Sequence, residues 1–138
     1  MRIPFRIEGT TADKRLIAFG KTLEELFENA ALGMFSEIAD LGTVDDAQTR
    51  VIELKGAEDR EGLLVLWLNE LLFYFDSEGF VGKRFKVEFL EKNSLRAAIQ
   101  GSNISKESIV GEIKAATYHE LEIREEKDFL EGRIILDV

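Results

Sequence analysis

The hydrophobic spacing of this chain switches between a period of two and a period near 3.6, and no all-helical or all-strand fold accommodates both. From Thr22 the helical period holds without a miss: Leu23, Leu26, Phe27, Ala30, Ala31, Met34, Phe35 and Ile38 share one face. Thr22 is a good N-cap, and Glu25 three residues on completes a capping box that satisfies two otherwise orphaned amides. Gly33 weakens this helix slightly, and Asp40-Leu-Gly ends it. A second helix is predicted from about Arg60 to Asp76, with Asp59 as its cap. Leu64, Trp67, Leu68, Leu71 and Phe75 form the expected stripe, while Leu63, Leu66, Leu72 and Phe73 extend it round most of the circumference. Such a helix is either central in the core or covered on a second face by a partner. The core reading needs no extra component.

Elsewhere the period is two. Ile3, Phe5 and Ile7 alternate with polar neighbours in a strand from Ile3 to Glu8, and a turn at Gly9–Asp13 leads to a second from Arg15 to Phe19. Thr49–Lys55 is a third. After Gly79, Phe85, Val87 and Phe89 alternate with charges, and a Lys92-Asn93-Ser94 turn leads to a partner through Leu95, Ala97 and Ile99. The longest predicted strand, Glu112–Arg124, places Ile113, Ala115, Thr117, Leu121 and Ile123 on one face. A turn near Lys127-Asp128 precedes a final strand, Arg133–Val138. Two helices and about seven strands, the last three antiparallel, predict an α+β two-layer sandwich with the helices packed on a mixed, largely antiparallel sheet. With 138 residues and no repeat, low-complexity tract or linker, one domain spanning 1–138 is expected.

Charge and composition narrow the function. Eighteen basic residues against twenty-seven acidic ones give −9, the wrong sign for gripping a phosphate backbone, so no strong direct nucleic-acid binding is expected. With no cysteine there is no disulfide scaffold, thiolate metal site or cysteine nucleophile. No secretory leader or membrane-length apolar run is visible, so a cytoplasmic protein without membrane contact is expected. No phosphate-binding glycine loop, serine triad or dinucleotide fingerprint appears, and no catalytic or organic-cofactor residue is assigned.

One chemical candidate remains. The final strand ends on Asp137 and then on the α-carboxylate of Val138, and Asp13 lies in the tight polar turn near the other end of the chain. If the terminal strand lies beside that turn, three carboxylates converge, which is the ligand set of a hard metal ion. Otherwise Asp13 is a turn residue and Asp137 a solvated strand end. His119, the single histidine, falls by alternation on the apolar face of its strand and reads as a buried, hydrogen-bonded side chain.

Three segments taken together go further. Thr11-Ala-Asp13, Lys114-Ala-Ala-Thr-Tyr-His119 and the terminal Ile135-Leu-Asp-Val138 closely resemble the archease family. The helix segments Gly20–Phe35 and Trp67-Leu-Asn-Glu-Leu-Leu72 are similar to that family's two helices, and the resemblance covers essentially the whole chain. It implies an accessory protein, not an enzyme, that activates an RtcB-type RNA ligase in tRNA splicing. The implied partner is that ligase; the implied effect is guanylylation of the ligase, multiple turnover and broader nucleotide use. It also implies a divalent metal held by Asp13, Asp137 and Val138, with Ca²⁺ the first expectation and Mg²⁺ or Mn²⁺ the alternatives. The chain departs from the family pattern at Thr10, where archeases usually have histidine, and at Lys14 and Arg15, which replace small or apolar residues. Two nearby cations should weaken a metal site. The competing functions are a metal-dependent hydrolase using the same acids and a pure RNA-binding module, the latter disfavoured by charge.

Overall fold

The computed structural model describes residues 3–9, 12–91 and 93–138, so Thr10, Thr11 and Lys92 of the segments above lie outside the described residues. The elements run β1 (Phe5–Gly9), β2 (Asp13–Gly20), α1 (Leu23–Ile38), β3 (Gln48–Leu54), α2 (Arg60–Glu78), β4 (Phe80–Glu91), β5 (Ser94–Asn103), β6 (Ala115–Ala116), β7 (Glu122–Glu125) and β8 (Leu130–Asp137). The α+β class holds, with eight strands divided between two sheets where about seven in one mixed sheet were expected. One sheet runs β1-β2-β8-β6, with β7 also on β8; the other runs β3-β5-β4, and every described pairing is antiparallel.

Both helices start where their caps place them. The Glu25 N–H donates to Thr22 Oγ1 at 3.1 Å, and the Glu25 carboxylate accepts from the Lys21 N–H at 3.1 Å, one residue before the position a strict capping box would use. Asp59 accepts from the Gly62 N–H at 2.7 Å, and α2 ends on Gly79, whose φ of 73° suits a residue without a Cβ. Gly33 has a packing reason. A Cβ there would sit 2.6 Å from Leu16 Cδ1 and 2.9 Å from the Phe5 ring, so glycine lets α1 lie close on the β1–β2 pair.

α1 bridges the two sheets. Phe27 meets Phe89 edge-on at 5.2 Å, and Phe35 stacks on Phe85 at 6.1 Å, tying the helix to β4. Trp67 of α2 meets Phe85 edge-on, and its Nε1–H donates to the Phe27 carbonyl at 3.0 Å, so the indole is wholly buried without an unsatisfied donor. Full burial of each large apolar side chain contributes about 1.5–3 kcal/mol against leaving it in water. α2 is mainly a core helix, with Leu63, Leu64, Val65, Trp67, Leu68, Leu71 and Leu72 buried; its extra apolar surface emerges at half-buried Leu66 and exposed Phe73.

The predicted long strand Glu112–Arg124 is broken. Ala115 stands opposite Asp137 while Glu122 stands opposite Arg133, a register shift of three residues. Thr117 still bonds Ile135 O through its N–H, at 3.0 Å, but the excess chain then leaves the sheet as a turn closed by the Leu121 N–H on Tyr118 O at 3.3 Å. Glu120 takes φ 55° there. Smooth alternation in the sequence carries no mark of this bulge, and it overturns the burial expected for His119. That side chain is 77 % exposed, with Nε2 4.0 Å from Glu120.

Candidate metal centre

β2 opens on Asp13 and β8 closes on Asp137, and the antiparallel register sets the two directly opposite each other. The start of β2 and the end of β8 therefore meet. Directly opposed residues point to the same side of a sheet with Cα atoms about 4.5–5.5 Å apart. One cation bound at about 2.3–2.6 Å per oxygen can bridge carboxylates at that spacing. Both acids are exposed.

The charges around them explain why this pair stands out. On the face of the five-stranded sheet away from α1, arginines and glutamates alternate in matched pairs. Arg6 meets Glu8 at 3.0 Å, Arg15 meets Glu120 at 2.9 Å, Arg124 meets Glu122 at 2.7 Å and Arg133 meets Glu131 at 2.8 Å. Ile17 and Ile135, which share this face, are buried among them, and the Arg6 guanidinium lies over the Phe19 ring at 5.6 Å. At Asp13 and Asp137 this matching stops. Among the described residues neither has a cation within ion-pair distance. Their mutual repulsion is on the order of 1 kcal/mol in water-like surroundings. That is too little to undo the eight-residue pairing of β2 with β8, and a divalent cation would turn it into attraction.

The two cations expected to weaken the site are both committed elsewhere. Lys14 alternates to the helix side of β2 and pairs with Glu37 of α1, and Arg15 is held by Glu120. Neither neutralises Asp13.

The end of β8 is fixed from two directions. The Lys114 N–H donates to Asp137 O at 2.7 Å, while Leu136 is fully buried and the Val138 side chain packs half-buried against the core. β6 is in turn held by a residue that sequence reasoning missed. Asn69 of α2 accepts from the Ala116 N–H at 2.8 Å and donates to the Ala116 carbonyl at 3.1 Å, and Ala116 neighbours Ala115, the strand partner of Asp137. The available signal was a single amide, beside Glu70, in the mainly apolar middle of α2. Among the described residues no three His, Cys, Asp or Glu side chains gather as a metal site. A hard ion here would need a further oxygen besides the two aspartates, and the Val138 carboxylate is the nearest candidate by sequence. An all-oxygen, anionic donor set without histidine or cysteine fits Ca²⁺, Mg²⁺ or Mn²⁺ better than softer metals. Thr10 lies outside the described residues.

Fold and site together define a class: a two-layer α+β protein whose five-stranded sheet ends in a directly opposed acidic pair. The profile of the Archease protein family matches residues 5–138, and this chain belongs to that family. It is 40% identical over 138 residues to the protein archease of Methanothermobacter thermautotrophicus, covering 97% of this chain and 98% of that one. It is 39% identical over 134 residues to the protein archease of Methanosarcina acetivorans, covering 93% and 91%. The solution structure of Methanobacterium thermoautotrophicum protein 1598 superposes with a TM-score of 0.85 at 38% identity, covering 98% of this chain and 99% of that one.

Proposed function

We propose that this chain is a protein activator of an RtcB-type tRNA-splicing RNA ligase, promoting the ligase's guanylylation and multiple turnover, with a divalent ion held by Asp13, Asp137 and the Val138 carboxylate. The observation that carries the reading is the register of Asp13 on Asp137 at an end of the sheet face where, among the described residues, the charge matching stops. The ion supplies concentrated positive charge that can meet phosphate oxygens. The chain's own residues do the positioning. The register of β2 on β8 sets the two aspartates opposite each other, Lys114 and Asn69 hold the strand end, and Leu136 with Val138 anchors it in the core. The net charge of −9 favours action through a protein partner rather than by gripping RNA. Broader nucleotide use by the ligase, and a cytoplasmic setting, belong to the same reading. The competing hydrolase reading draws no support from His119, whose side chain stands in solvent.

The test is multiple-turnover joining of RNA ends by the cognate ligase with GTP and Mn²⁺. Asp13→Ala should abolish stimulation while leaving the fold intact, because an exposed strand-end residue opens no cavity. Lys86→Ala, on the exposed side of β4, should stimulate normally. Full stimulation by Asp13→Ala would remove the acidic pair from the mechanism.

A further inference from the structure

The turn that carries Glu120 borders a second feature on its other side. Tyr118 and Leu121, with Leu66 of α2, line an open groove of about 580 Å³ together with Glu58, Asp59 and Glu61. The apolar part of the lining is left partly in water: Tyr118 is 63% exposed, and Leu66 and Leu121 are half-buried. The acidic part keeps a net negative charge. Asp59 spends its carboxylate on the neutral Gly62 N–H at 2.7 Å, and Glu58 engages its main-chain carbonyl, with Asn93 at 3.1 Å. The cation between them, Arg60, is divided between Glu61 and Glu125 at 3.1 Å each. The turn itself is held in place: Glu120, a non-glycine residue in the left-handed region, is clamped by Arg15 at 2.9 Å.

We propose that this groove docks a basic-aliphatic segment of the partner protein, an aliphatic side chain lying against Leu66 and Leu121 beside the Tyr118 ring and a lysine or arginine facing Glu58, Asp59 and Glu61. The inference rests on the activator reading and adds to it the chemistry of the contact. Arg15, two residues along β2 from Asp13, joins the groove's turn to the acidic pair, so a protein touching one reaches the other. Charge selects the occupant. A phosphate backbone or an acidic segment is repelled by these three acids, and a purely apolar one gives their net negative charge no counterpart. A tyrosine at the lip offers a large contact at little entropic cost, as in the residues that dominate protein interfaces.

The first arm of the test titrates the ¹⁵N/¹³C-labelled chain with a capped Lys-Leu-Lys-Lys-Leu-Lys peptide, and with its counterpart bearing glutamate for each lysine. The lysine peptide should shift resonances of Leu66, Tyr118, Leu121 and residues 56–62, and the glutamate peptide should shift none of them. Tyr118→Ala and Glu58→Lys should each weaken binding at least fivefold. In the second arm, calorimetry with the cognate ligase should show the same loss for both variants. Shifts that map elsewhere, equal binding of the two peptides, or unchanged affinity in both variants would overturn the groove. A ligase that does not bind the unmodified chain at all would overturn the activator reading instead, with the peptide arm still deciding the groove.

Discussion

Asn69 of α2 and Ala116 of β6 exchange two hydrogen bonds, so that a side-chain amide takes the place of a neighbouring strand. β6 is two residues long and pairs with β8 alone, so this helix side chain satisfies the main-chain groups on its other edge. Asn69→Ala leaves a part-buried N–H and C=O without partners and should cost about 1–3 kcal/mol. Asn69→Asp keeps the acceptor and loses the donor, and should fall between the two. Urea denaturation of the three proteins checks the order, and calcium titration should show affinity falling in the same sequence.

Adding residues after Val138 should weaken divalent-ion binding more than adding them before Met1. The first change converts the α-carboxylate beside Asp137 into an amide; the second leaves the charges of the site unaltered. Equal calcium isotherms for the two tagged forms would remove that carboxylate from the proposed donor set.

Glu28 predicts a pH effect unrelated to the acidic pair. Its carboxylate leans from α1 onto the outer edge of β4 and accepts the Val87 N–H at 2.9 Å. Burial pushes its carboxyl above the ordinary value of 4.5, outweighing that hydrogen bond, and Glu25 and Glu24 push the same way. A raised pKa in the folded state means stability that is fully present below 4.5 and lost as pH rises through the raised value. Glu28→Gln keeps an acceptor and cannot ionise. The stability of the parent relative to this variant should therefore be greatest below pH 4.5 and decline as the pH is raised. Paired urea melts from acid to neutral pH measure it. A flat difference would mean that Glu28 does not titrate in this range.

Gly33→Ala sets two effects against each other. Alanine favours the helix by about 1 kcal/mol. The added methyl would sit 2.6 Å from Leu16 Cδ1 and 2.9 Å from the Phe5 ring, and overpacking of this kind costs about 1–3 kcal/mol. The clash should win by up to about 2 kcal/mol, read as a lower denaturation midpoint. A stabilised variant would show that the Phe5 ring swings aside freely.

The features legible in the sequence were those written in local spacing. Thr22 with Glu25, and Asp59 with Gly62, announce helix starts because a cap and its amide are neighbours in the chain. The meeting of Asp13 with Asp137 could be posed as a question, since both lie at strand ends, but only the register answers it. The division into two sheets was not legible, because alternation fixes which side of a strand is apolar and says nothing of its neighbours. His119 was misplaced for a related reason. Alternation from Ile113 to Ile123 presumes unbroken pairing, and the three-residue excess against β8 turns the histidine out to water. Lys14 and Arg15 read in the sequence as two free cations beside Asp13, because their partners Glu37 and Glu120 are distant in the chain.

β8 pairs with β2 on one side and with β6 and β7 on the other, which gives the end of the chain a kinetic role as well as a chemical one. The five-stranded sheet has no interior until its last strand docks, and that docking joins residues 13–20 to residues 130–137. The helices and the β3-β4-β5 sheet can assemble through shorter-range contacts, but closing the loop between β2 and β8 carries the largest entropic cost in the fold. Refolding should therefore proceed in two stages, with Trp67 fluorescence recovering as α2 packs on α1 and amide protection in β2 appearing later.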